Sequence, residues 1–276
     1  MDEVHILGEP LTLLAQIEDT EDVPNLLSLQ WNSDIDGLLF EGTPQSNGAS
    51  SVEDIFLSAG AHQLVLHVVD SMGFEEDESI NIYVNTSPEP PSIDIVPANP
   101  ASNEDLEVVI VTASDVDGDS LSYSYVWSQN GVPTAHTDMT LSALHTGVGE
   151  TWSVEVVAND GYSDSSQGTA SVDIVNTPPS IDTPVITPTL VYNDDVVQCA
   201  AQASDIDQSV TVDYSWMVGS NIYAGDTLDL STLSVSPLDT ITCTAQVIDD
   251  QLESATSTSS MTIGKTIGMV RIRIAS

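Results

Sequence analysis

The stretch Ile241-Thr-Cys-Thr-Ala-Gln-Val247 places apolar side chains at every second position, with polar side chains between them. Alternation with a period of two predicts a strand that buries one face and leaves the other in water. The segment Ile80-Asn-Ile-Tyr-Val84 alternates in the same way, so we expect Ile80, Ile82 and Val84 on a buried face. No segment of the chain shows a convincing helical period. The sequence therefore predicts an all-β protein built from antiparallel sandwiches.

The two cysteines of the chain, Cys199 and Cys243, lie on either side of Trp216. Immunoglobulin-like sandwiches carry a cysteine on strand B, a tryptophan on strand C and a cysteine on strand F, and this chain has that order and spacing. We expect a disulfide between the two cysteines, for which the loop-entropy relation gives about 4 kcal/mol. The alternative is a pair of buried free thiols. Ile241 stands where antibody domains carry a tyrosine, so the match is to the architecture and not to antibodies.

Sequence features recur with a period of about 90 residues. The linkers Asn85-Thr-Ser-Pro and Asn176-Thr-Pro-Pro each precede an apolar strand, an acidic loop and a strand ending in tryptophan, while Trp31 marks a more diverged first repeat. Self-similarity at a fixed period indicates tandem units. We predict three tandem immunoglobulin-like β-sandwich domains in a linear array. Their predicted boundaries are 1–86, 87–177 and 178–264, the last with the disulfide, followed by a basic tail at 265–276.

The repeat pattern also gives single residues a place. Val109 and Val154 match the two cysteines in the second repeat, where packing alone would close the core. The tryptophans are expected in cores, namely Trp31, Trp127 and Trp216 by repeat position and Trp152 because it shares a face with Val154. The five histidines show no zinc-binding spacing, and we expect them at the surface or in turns. They are His5, His62, His67, His136 and His145.

Short motifs resemble those of a known group of extracellular repeats. Trp31-Asn-Ser-Asp-Ile-Asp-Gly37, Leu57-Ser-Ala-Gly-Ala-His62 and Val69-Asp-Ser-Met-Gly73 resemble PKD-like repeats of bacterial and archaeal surface proteins. The later units, with Asn-Thr-Pro-Pro, Asp-Val-Asp-Gly-Asp and Asn-Asp-Gly, look like the related immunoglobulin-like or cadherin-like tandem repeats of large secreted proteins. The resemblance covers Met1 to Gly264 and implies spacer or adhesive modules. In cadherin-like junctions calcium stiffens neighbouring domains.

The distribution of charge is the most unusual property of the composition. The first cation in the sequence is Lys265, followed by Arg271 and Arg273, whereas 43 acidic residues give a net charge of −40. Phosphate clamps, lysine Schiff bases and nucleic-acid binding all need cations that the body of the chain lacks. No apolar run is long enough to insert into a membrane as a helix. The carboxylates must therefore be solvated, screened by salt or coordinated by metal cations.

The acidic loops are the candidate metal sites. In a sandwich of this topology, the loops after strands B and F share the end at which the chain enters, so Asp115 and Asp117 should lie near Asn159 and Asp160, close to the Asn85 linker. Clustered carboxylates are the hard oxygen ligands that Ca²⁺ prefers. The loop is not an EF-hand, because Ser120 replaces the required glycine. The predicted ligands are Asp115, Asp117, Asp119, Asn159 and Asp160 in the second repeat, Asp205, Asp207, Asp249 and Asp250 near Asn176 in the third, and Asp19, Glu21, Asp22 and Asp70 in the first. Solvated acidic turns are the alternative.

Three functions are compatible with these features, and none is an enzyme. The leading hypothesis is a stalk, spacer or adhesive segment of a secreted or cell-surface protein, stiffened by calcium between repeats, with other repeats of the same parent protein as neighbours. The second is an accessory module of a secreted hydrolase that lies near a polysaccharide. The third is a subunit of an extracellular filament, in which the alternating basic segment Val270-Arg-Ile-Arg-Ile274 pairs with the next copy. The alternative to such a pairing role is that the tail 265–276 is a read-through or vector-derived end.

Overall fold

The computed structural model of the chain describes residues Glu3–Lys265, and almost all of its regular structure is β-strand. The described residues form two compact units. One contains the chain up to Val96 with Glu107–Leu141 and Trp152–Val172, and the other contains Pro97–Leu106, Ser142–Thr151 and the chain from Asp173 onward. The division passes through the second predicted repeat, so the domain boundaries remain a prediction. Within Glu3–Lys265 no helix is long and apolar enough to cross a membrane.

The first repeat contains seven strands in two sheets. These are β1 (Glu3–Ile6), β2 (Leu11–Gln16), β3 (Ser28–Ser33), β4 (Gly37–Gly42), β5 (Ala49–Ile55), β6 (Gly60–Val69) and β7 (Glu75–Asn85). One sheet has the order β1-β7-β6-β3-β4, with β1 parallel to β7, and the other consists of β2 and β5. A short 3-10 turn at Pro24–Leu26 precedes β3. The buried core includes Leu13, Leu29, Trp31, Leu64 and Val84.

The second repeat also contains seven strands. These are β8 (Ser92–Val96), β9 (Leu106–Thr112), β10 (Ser122–Gln129), β11 (Val132–Pro133), β12 (Thr140–Leu141), β13 (Thr151–Asn159) and β14 (Gly168–Asp173). The orders of the two sheets are β12-β9-β8 and β11-β10-β13-β14. A 3-10 turn lies at Ala143–His145. Trp127, on β10, and Trp152, on β13, are both buried as the repeat pattern predicts.

The third repeat has the same strand order as the second. Its strands are β15 (Ser180–Ile181), β16 (Val185–Thr187), β17 (Val196–Ala200), β18 (Ala203–Ser204), β19 (Val212–Val218), β20 (Asn221–Ala224), β21 (Thr227–Asp229), β22 (Thr240–Ile248) and β23 (Ser254–Thr262). The sheets have the orders β16-β17-β21 and β20-β19-β22-β23, and β15 pairs with β18. A 3-10 turn lies at Leu230–Thr232. Two facing antiparallel sheets of this kind are the immunoglobulin-like sandwich, so the predicted all-β fold class is confirmed.

A disulfide joins the two sheets of the third repeat. Cys199 on β17 and Cys243 on β22 are bonded, with 6.4 Å between their Cα atoms, and both are buried. Trp216 on β19 lies opposite Cys243 in the strand register and is also buried. Ile241, Ala245 and Val247 share the buried face with Cys243. The pairing predicted from the cysteine–tryptophan–cysteine order is confirmed.

Two placements of valine and isoleucine were wrong. Val154 is buried as expected, but Val109 is 39% exposed, and Leu106 and Val108 are the buried residues of β9. Val108 lies opposite Ile95, as Cys199 lies opposite Ile186, so Val108 is the true counterpart of the cysteine. A shift of one residue moves a strand side chain to the other face of the sheet. Ile80 is 50% exposed although it lies opposite the buried Leu64 in the strand register.

His62 is also misplaced by the sequence analysis, because it is buried rather than at the surface. Hydrogen bonds link its Nδ1 with the Ser33 hydroxyl and its Nε2 with the carbonyl oxygen of Ser58, each at 2.8 Å. These two partners allow a polar ring to be buried without an unpaired nitrogen. Of the basic tail, Lys265 is described and exposed, whereas the segment Val270–Ile274 lies outside the described residues.

Reducing the disulfide should weaken the third repeat selectively. The closed loop spans 44 residues, so the loop-entropy relation gives a loss of about 4 kcal/mol from the free energy of unfolding. Hydrogen exchange with and without reductant measures this: amides of β17 and β22 should lose protection, while those of β9 and β13 serve as the internal control. Equal loss of protection in both repeats, or no loss in either, would contradict the assignment.

Candidate metal centre

The loop between β9 and β10 gathers three carboxylates. Asp115 Oδ1 accepts hydrogen bonds from the backbone N–H of Asp117 at 2.8 Å and of Asp119 at 3.3 Å, and Gly118 adopts a positive φ of 84° between them. This aspartate-centred turn folds the alternating acidic residues back on one side of the loop. Carboxylate oxygens of Asp115, Asp117 and Asp119 lie within 4.8 Å of one another. Such a spacing fits ligands of a single cation.

The loop between β13 and β14 adds a fourth carboxylate to this end of the sandwich. Asp160 is buried, and its Oδ1 accepts from the backbone N–H of Tyr162 and of Ser163, each at 2.7 Å. Burial raises the pKa of Asp160, but hydrogen bonds from the Asn85 amide and the loop outweigh it and hold that pKa below its ordinary value. Asp160 is therefore a charged anchor of the loop.

The linker from the first repeat is bound to both acidic loops. Asn85 Nδ2 donates to Asp160 Oδ2 at 2.9 Å, and the backbone N–H of Thr86 donates to Asp117 Oδ2 at 2.6 Å. Asn85 is fully buried. The expectation that the two acidic loops meet the Asn85 linker is therefore confirmed as geometry. Two consecutive linker residues each contact a different loop of the following repeat.

Four oxygen atoms at this junction are buried and have no hydrogen-bond partner among the described residues. They are Asn85 Oδ1, Thr86 Oγ1, Asp115 Oδ2 and Asp119 Oδ2. Buried polar oxygens are nearly always paired, because an unpaired one loses the hydration that it had in the unfolded chain. All four are acceptors or can act as acceptors, and oxygens of these types are ligands of hard cations. Two of them belong to Asp115 and Asp119 of the carboxylate cluster, which also contains Asp117.

The electrostatics of the junction favour the uptake of positive charge. Burial, followed by the charges of Asp115, Asp160 and Asp117, raises the pKa of Asp119 above its ordinary value. Burial, followed by the charges of Asp117, Asp119 and Asp115, also raises the pKa of Tyr83, near the end of β7. Ionised groups so close together repel one another. The sequence up to Gly264 has no lysine or arginine to compensate these charges, which leaves water, dissolved salt or a bound metal cation to do so.

The linker before the third repeat forms the same two kinds of hydrogen bond with its acidic loops. Asn176 Nδ2 donates to Asp249 Oδ2 at 2.7 Å, and the backbone N–H of Thr177 donates to Asp207 Oδ2 at 2.8 Å. Asp205 Oδ1 accepts from the N–H of Asp207 at 2.7 Å. Asn176 Oδ1 and Asp205 Oδ2 are buried without a partner among the described residues. The expected proximity of these aspartates to Asn176 is confirmed.

Two predicted ligands do not join these clusters. The side-chain oxygen of Asn159 accepts from the N–H of Gly161 at 2.8 Å, so this residue caps its own turn. Asp250 is exposed, and it occupies the place of Gly161 in the repeat, since Asp249 corresponds to Asp160. Ser209 follows Asp205 at the distance at which Asp119 follows Asp115. The third repeat therefore lacks the third carboxylate of the loop, and its site is the poorer of the two.

The acidic loops of the first repeat fold in the same way but contact no linker among the described residues. Asp19 Oδ1 accepts from the N–H of Glu21 at 2.8 Å and of Asp22 at 2.6 Å. Asp22 Oδ2 accepts from the hydroxyl of Ser71 at 2.7 Å. Asp70 Oδ1 accepts from two N–H groups of its own turn. Among the described residues these carboxylates form no group of three like that of Asp115, Asp117 and Asp119, and they lack the linker oxygens found at the other two sites.

The sequence analysis missed the linker residues as part of the site. Asn85, Thr86, Asn176 and Thr177 were interpreted as the start of proline-stiffened linkers. The recurrence of Asn-Thr before both acidic repeats was the available signal, because a linker needs no asparagine to be stiff. In the structure, the asparagine amide and the threonine N–H form the contacts that bind each linker to its loops.

Comparison with known proteins gives distant similarities. No protein-family model matches the chain, and no curated protein is similar to it. Among solved structures, the chain is similar to a Ca²⁺-stabilized adhesin that helps an Antarctic bacterium bind ice, with 14% identity, 95% of this chain and 71% of that chain covered, and a TM-score of 0.41. A 1.5-MDa bacterial ice-binding adhesin is 14% identical, with 95% of this chain and 93% of that chain covered and a TM-score of 0.39. The Ig1–Ig3 ectodomain of mouse nectin-like molecule 4 is 13% identical, with 98% of this chain and 99% of that chain covered and a TM-score of 0.38. All three TM-scores are below 0.5, so the fold assignment rests on the strand order and the disulfide.

Replacing Asp160 should destabilise the junction. In Asp160→Ala the buried Asn85 amide and two backbone N–H groups lose their acceptor, which should lower the free energy of unfolding by about 2 kcal/mol in metal-free buffer. Because the pKa of Asp160 is lowered in the folded state, the stabilisation that its carboxylate provides is present at pH values above its ordinary pKa of 3.8. This stabilisation is lost as the pH falls through the lowered pKa of the folded state. The difference between wild type and variant in urea denaturation should therefore shrink in acid.

Asp164→Ala is the matched control for this prediction. Asp164 lies in the same loop and accepts a hydrogen bond from Asn159 at 2.8 Å on the exposed surface. Exposed contacts of this kind contribute little, so the control should change the free energy of unfolding by less than about 0.5 kcal/mol. Equal effects of the two substitutions would contradict the role given to Asp160.

Proposed function

We propose that this chain is a non-enzymatic stalk or adhesive segment of a secreted or cell-surface protein, in which calcium binds at the linkers and stiffens neighbouring repeats. The observation that carries the proposal is the set of four buried, unpaired oxygens at the Asn85 linker, beside the carboxylates of Asp115, Asp117 and Asp119. The oxygens come from two consecutive linker residues and from a loop of the following repeat. A single ion bound there would hold the linker and the loop together.

Calcium is the cation that best fits this donor set. Asn85, Thr86, Asp115, Asp117 and Asp119 together offer amide, hydroxyl and carboxylate oxygens, with no nitrogen or sulfur donor. Calcium accepts 6–8 oxygen ligands of mixed type in flexible geometry, whereas zinc prefers histidine and cysteine and magnesium keeps most of its water. Five protein residues leave room for one or more waters in a calcium shell. The second linker, at Asn176, offers fewer carboxylates and should bind more weakly.

Calcium would stiffen the linker by removing a repulsion as well as by adding bonds. Without a cation, Asp115, Asp119 and Asp160 lie close together as anions, and the linker is held by hydrogen bonds from Asn85 and Thr86. With a cation, the carboxylates attract one centre, and the linker oxygens become ligands of the same ion. This role needs neither a reaction nor a substrate, in agreement with a spacer. Other repeats of the same parent protein are then the natural neighbours.

Three considerations support an extracellular location as part of this proposal. The Cys199–Cys243 disulfide belongs in an oxidising compartment. Sites of extracellular modules bind calcium at about 10⁻⁴–10⁻³ M, a concentration found outside cells. A surface with a charge of −40 also remains soluble in saline surroundings.

Calorimetric titration of calcium tests the binding site. For a dissociation constant of about 0.1 mM, about 10 mM calcium should add roughly 2.7 kcal/mol to the free energy of unfolding. Asp119→Asn removes one charge from an unpaired buried carboxylate, so it should weaken binding by about tenfold or more, and in EDTA it should not destabilise the protein. Asp173→Asn, which alters an exposed carboxylate on β14, is the control and should bind as wild type does. Binding unaffected by Asp119→Asn would refute the site.

Small-angle scattering tests the stiffening. The maximum particle dimension should be larger and better defined in calcium than in EDTA, because the linkers become fixed. The difference should disappear in the double variant Asp119→Asn/Asp205→Asn, which removes one carboxylate ligand from the proposed calcium site at each linker. If calorimetry shows calcium binding but the scattering curves in calcium and in EDTA coincide, the binding site is supported and the stiffening role is refuted.

A further inference from the structure

The first repeat lacks a strand that the other two repeats possess. In the second repeat β8 pairs with β9, and in the third β16 pairs with β17, so the sheet containing β9 or β17 has three strands. In the first repeat β1 lies in the opposite sheet, parallel to the end of β7. Within Glu3–Lys265 the strand β2 therefore pairs with β5 alone. Its second edge presents unpaired backbone N–H and C=O groups.

The strand opposite this edge is uncovered as well. Every residue of β7 from Glu75 to Ile80 is exposed, on both faces of the strand. At the matching place in the third repeat, Ala255 and Ser257 of β23 are half-buried, because β15 and β16 lie in contact with β23. In the second repeat the backbone of Pro91 lies so close to Gly168 on β14 that a Cβ there would clash. The missing strand of the first repeat thus leaves a groove between β2 and β7.

The groove has an apolar floor and an acidic rim. Ile17, Leu27 and Leu66 line its floor and belong to the core of the first repeat. Glu78 lies opposite Leu66 and Glu76 opposite Val68 in the register, so both glutamates belong to the inward face of β7. Glu18, Asp19 and Asp70 add to the rim, and Phe74 at the mouth is 71% exposed. An extended segment that alternates apolar and basic side chains is the complement of such a groove.

The chain contains one segment of that kind. We propose that the C-terminal segment Lys265–Ser276 of a second copy of this chain inserts into the groove of the first repeat as the missing strand. All three cations of the sequence lie in this segment, and Val270-Arg-Ile-Arg-Ile274 alternates apolar and basic residues. Its backbone would pair with the open edge of β2, its apolar side chains would contact the floor, and its arginines would pair with Glu76 and Glu78. Strand addition of this type is a general mode of recognition.

The contact would join different surfaces of two copies. A tail at one end of the chain and a groove in the first repeat form a heterologous interface, which adds further copies until a ring closes or a filament grows. The same acidic residues have a simpler alternative role: inward-pointing charges on an open edge prevent pairing with other chains. The two roles predict opposite effects of replacing Glu76 and Glu78, because a guarding role predicts more self-association and the proposal predicts less. The proposal does not depend on calcium.

Sedimentation velocity in EDTA at low salt tests the proposal over a wide concentration range. The wild-type chain should form dimers and larger species as concentration rises. Both Arg271→Glu/Arg273→Glu and Glu76→Arg/Glu78→Arg should weaken self-association by about tenfold or more. The two charge reversals combined in one chain should restore it to within about threefold of wild type. Asp94→Arg/Glu107→Arg, which reverses two exposed charges on β8 and β9, is the matched control and should leave the pattern of tail-dependent association intact.

Zero-length carbodiimide coupling gives a second measurement that does not depend on variants. Lys265 is the sole lysine of the chain, so amide cross-links to carboxylates can form only from Lys265 or the N-terminal amine. In a mixture of isotopically labelled and unlabelled chains, intermolecular links should join Lys265 to acidic residues of the groove rim, such as Glu75 or Glu18. A monomer at all concentrations, association that survives both charge reversals, or links from Lys265 spread evenly over the acidic surface would each overturn the proposal.

Discussion

The hydrogen bonds between an asparagine of each linker and an aspartate of the following repeat hold the repeat junctions of this protein together. Asn85 with Asp160, and Asn176 with Asp249, pair a linker amide with a buried carboxylate where the chain passes from one repeat to the next, and the asparagine is buried at Asn85 and half-buried at Asn176. Each amide nitrogen donates to the aspartate, while the amide oxygen is buried without a partner among the described residues. The proposed cation site consists of this oxygen, the neighbouring threonine and the acidic loop.

The absence of lysine and arginine before Lys265 leaves the negative charge of these junctions without a basic side chain to compensate it. Basic side chains can pair with clustered carboxylates, but none precedes Lys265 in the sequence. Here Asp115, Asp117 and Asp160 accept hydrogen bonds from backbone N–H groups and the Asn85 amide, which are neutral donors and leave the net charge in place. The proposal of a cation at the linkers therefore makes their stability depend on the ionic composition of the surroundings. All three cations of the sequence lie between Lys265 and Arg273.

Those features that follow from periodicity and topology could be predicted from the sequence. The Cys199–Cys243 bridge, the buried tryptophans and the convergence of two acidic loops all follow from the order of strands in a sandwich. Features that depend on a single position could not. Val108 and Val109 are both apolar, so only the strand register decides which is buried. The burial of His62 depends on partners far away in the sequence, and the missing strand of the first repeat appears only when three repeats are compared in space.

A crystal structure of the full chain grown in calcium, with anomalous scattering measured at long wavelength, tests the central claim most directly. The account predicts an anomalous peak at the Asn85 linker with Asn85 Oδ1, Thr86 Oγ1, Asp115 Oδ2 and Asp119 Oδ2 among its ligands, at about 2.3–2.6 Å. A weaker peak is expected at the Asn176 linker. Well-ordered linkers with no anomalous peak at either one, or water molecules hydrogen-bonded to those four oxygens in place of an ion, would contradict the proposed calcium site.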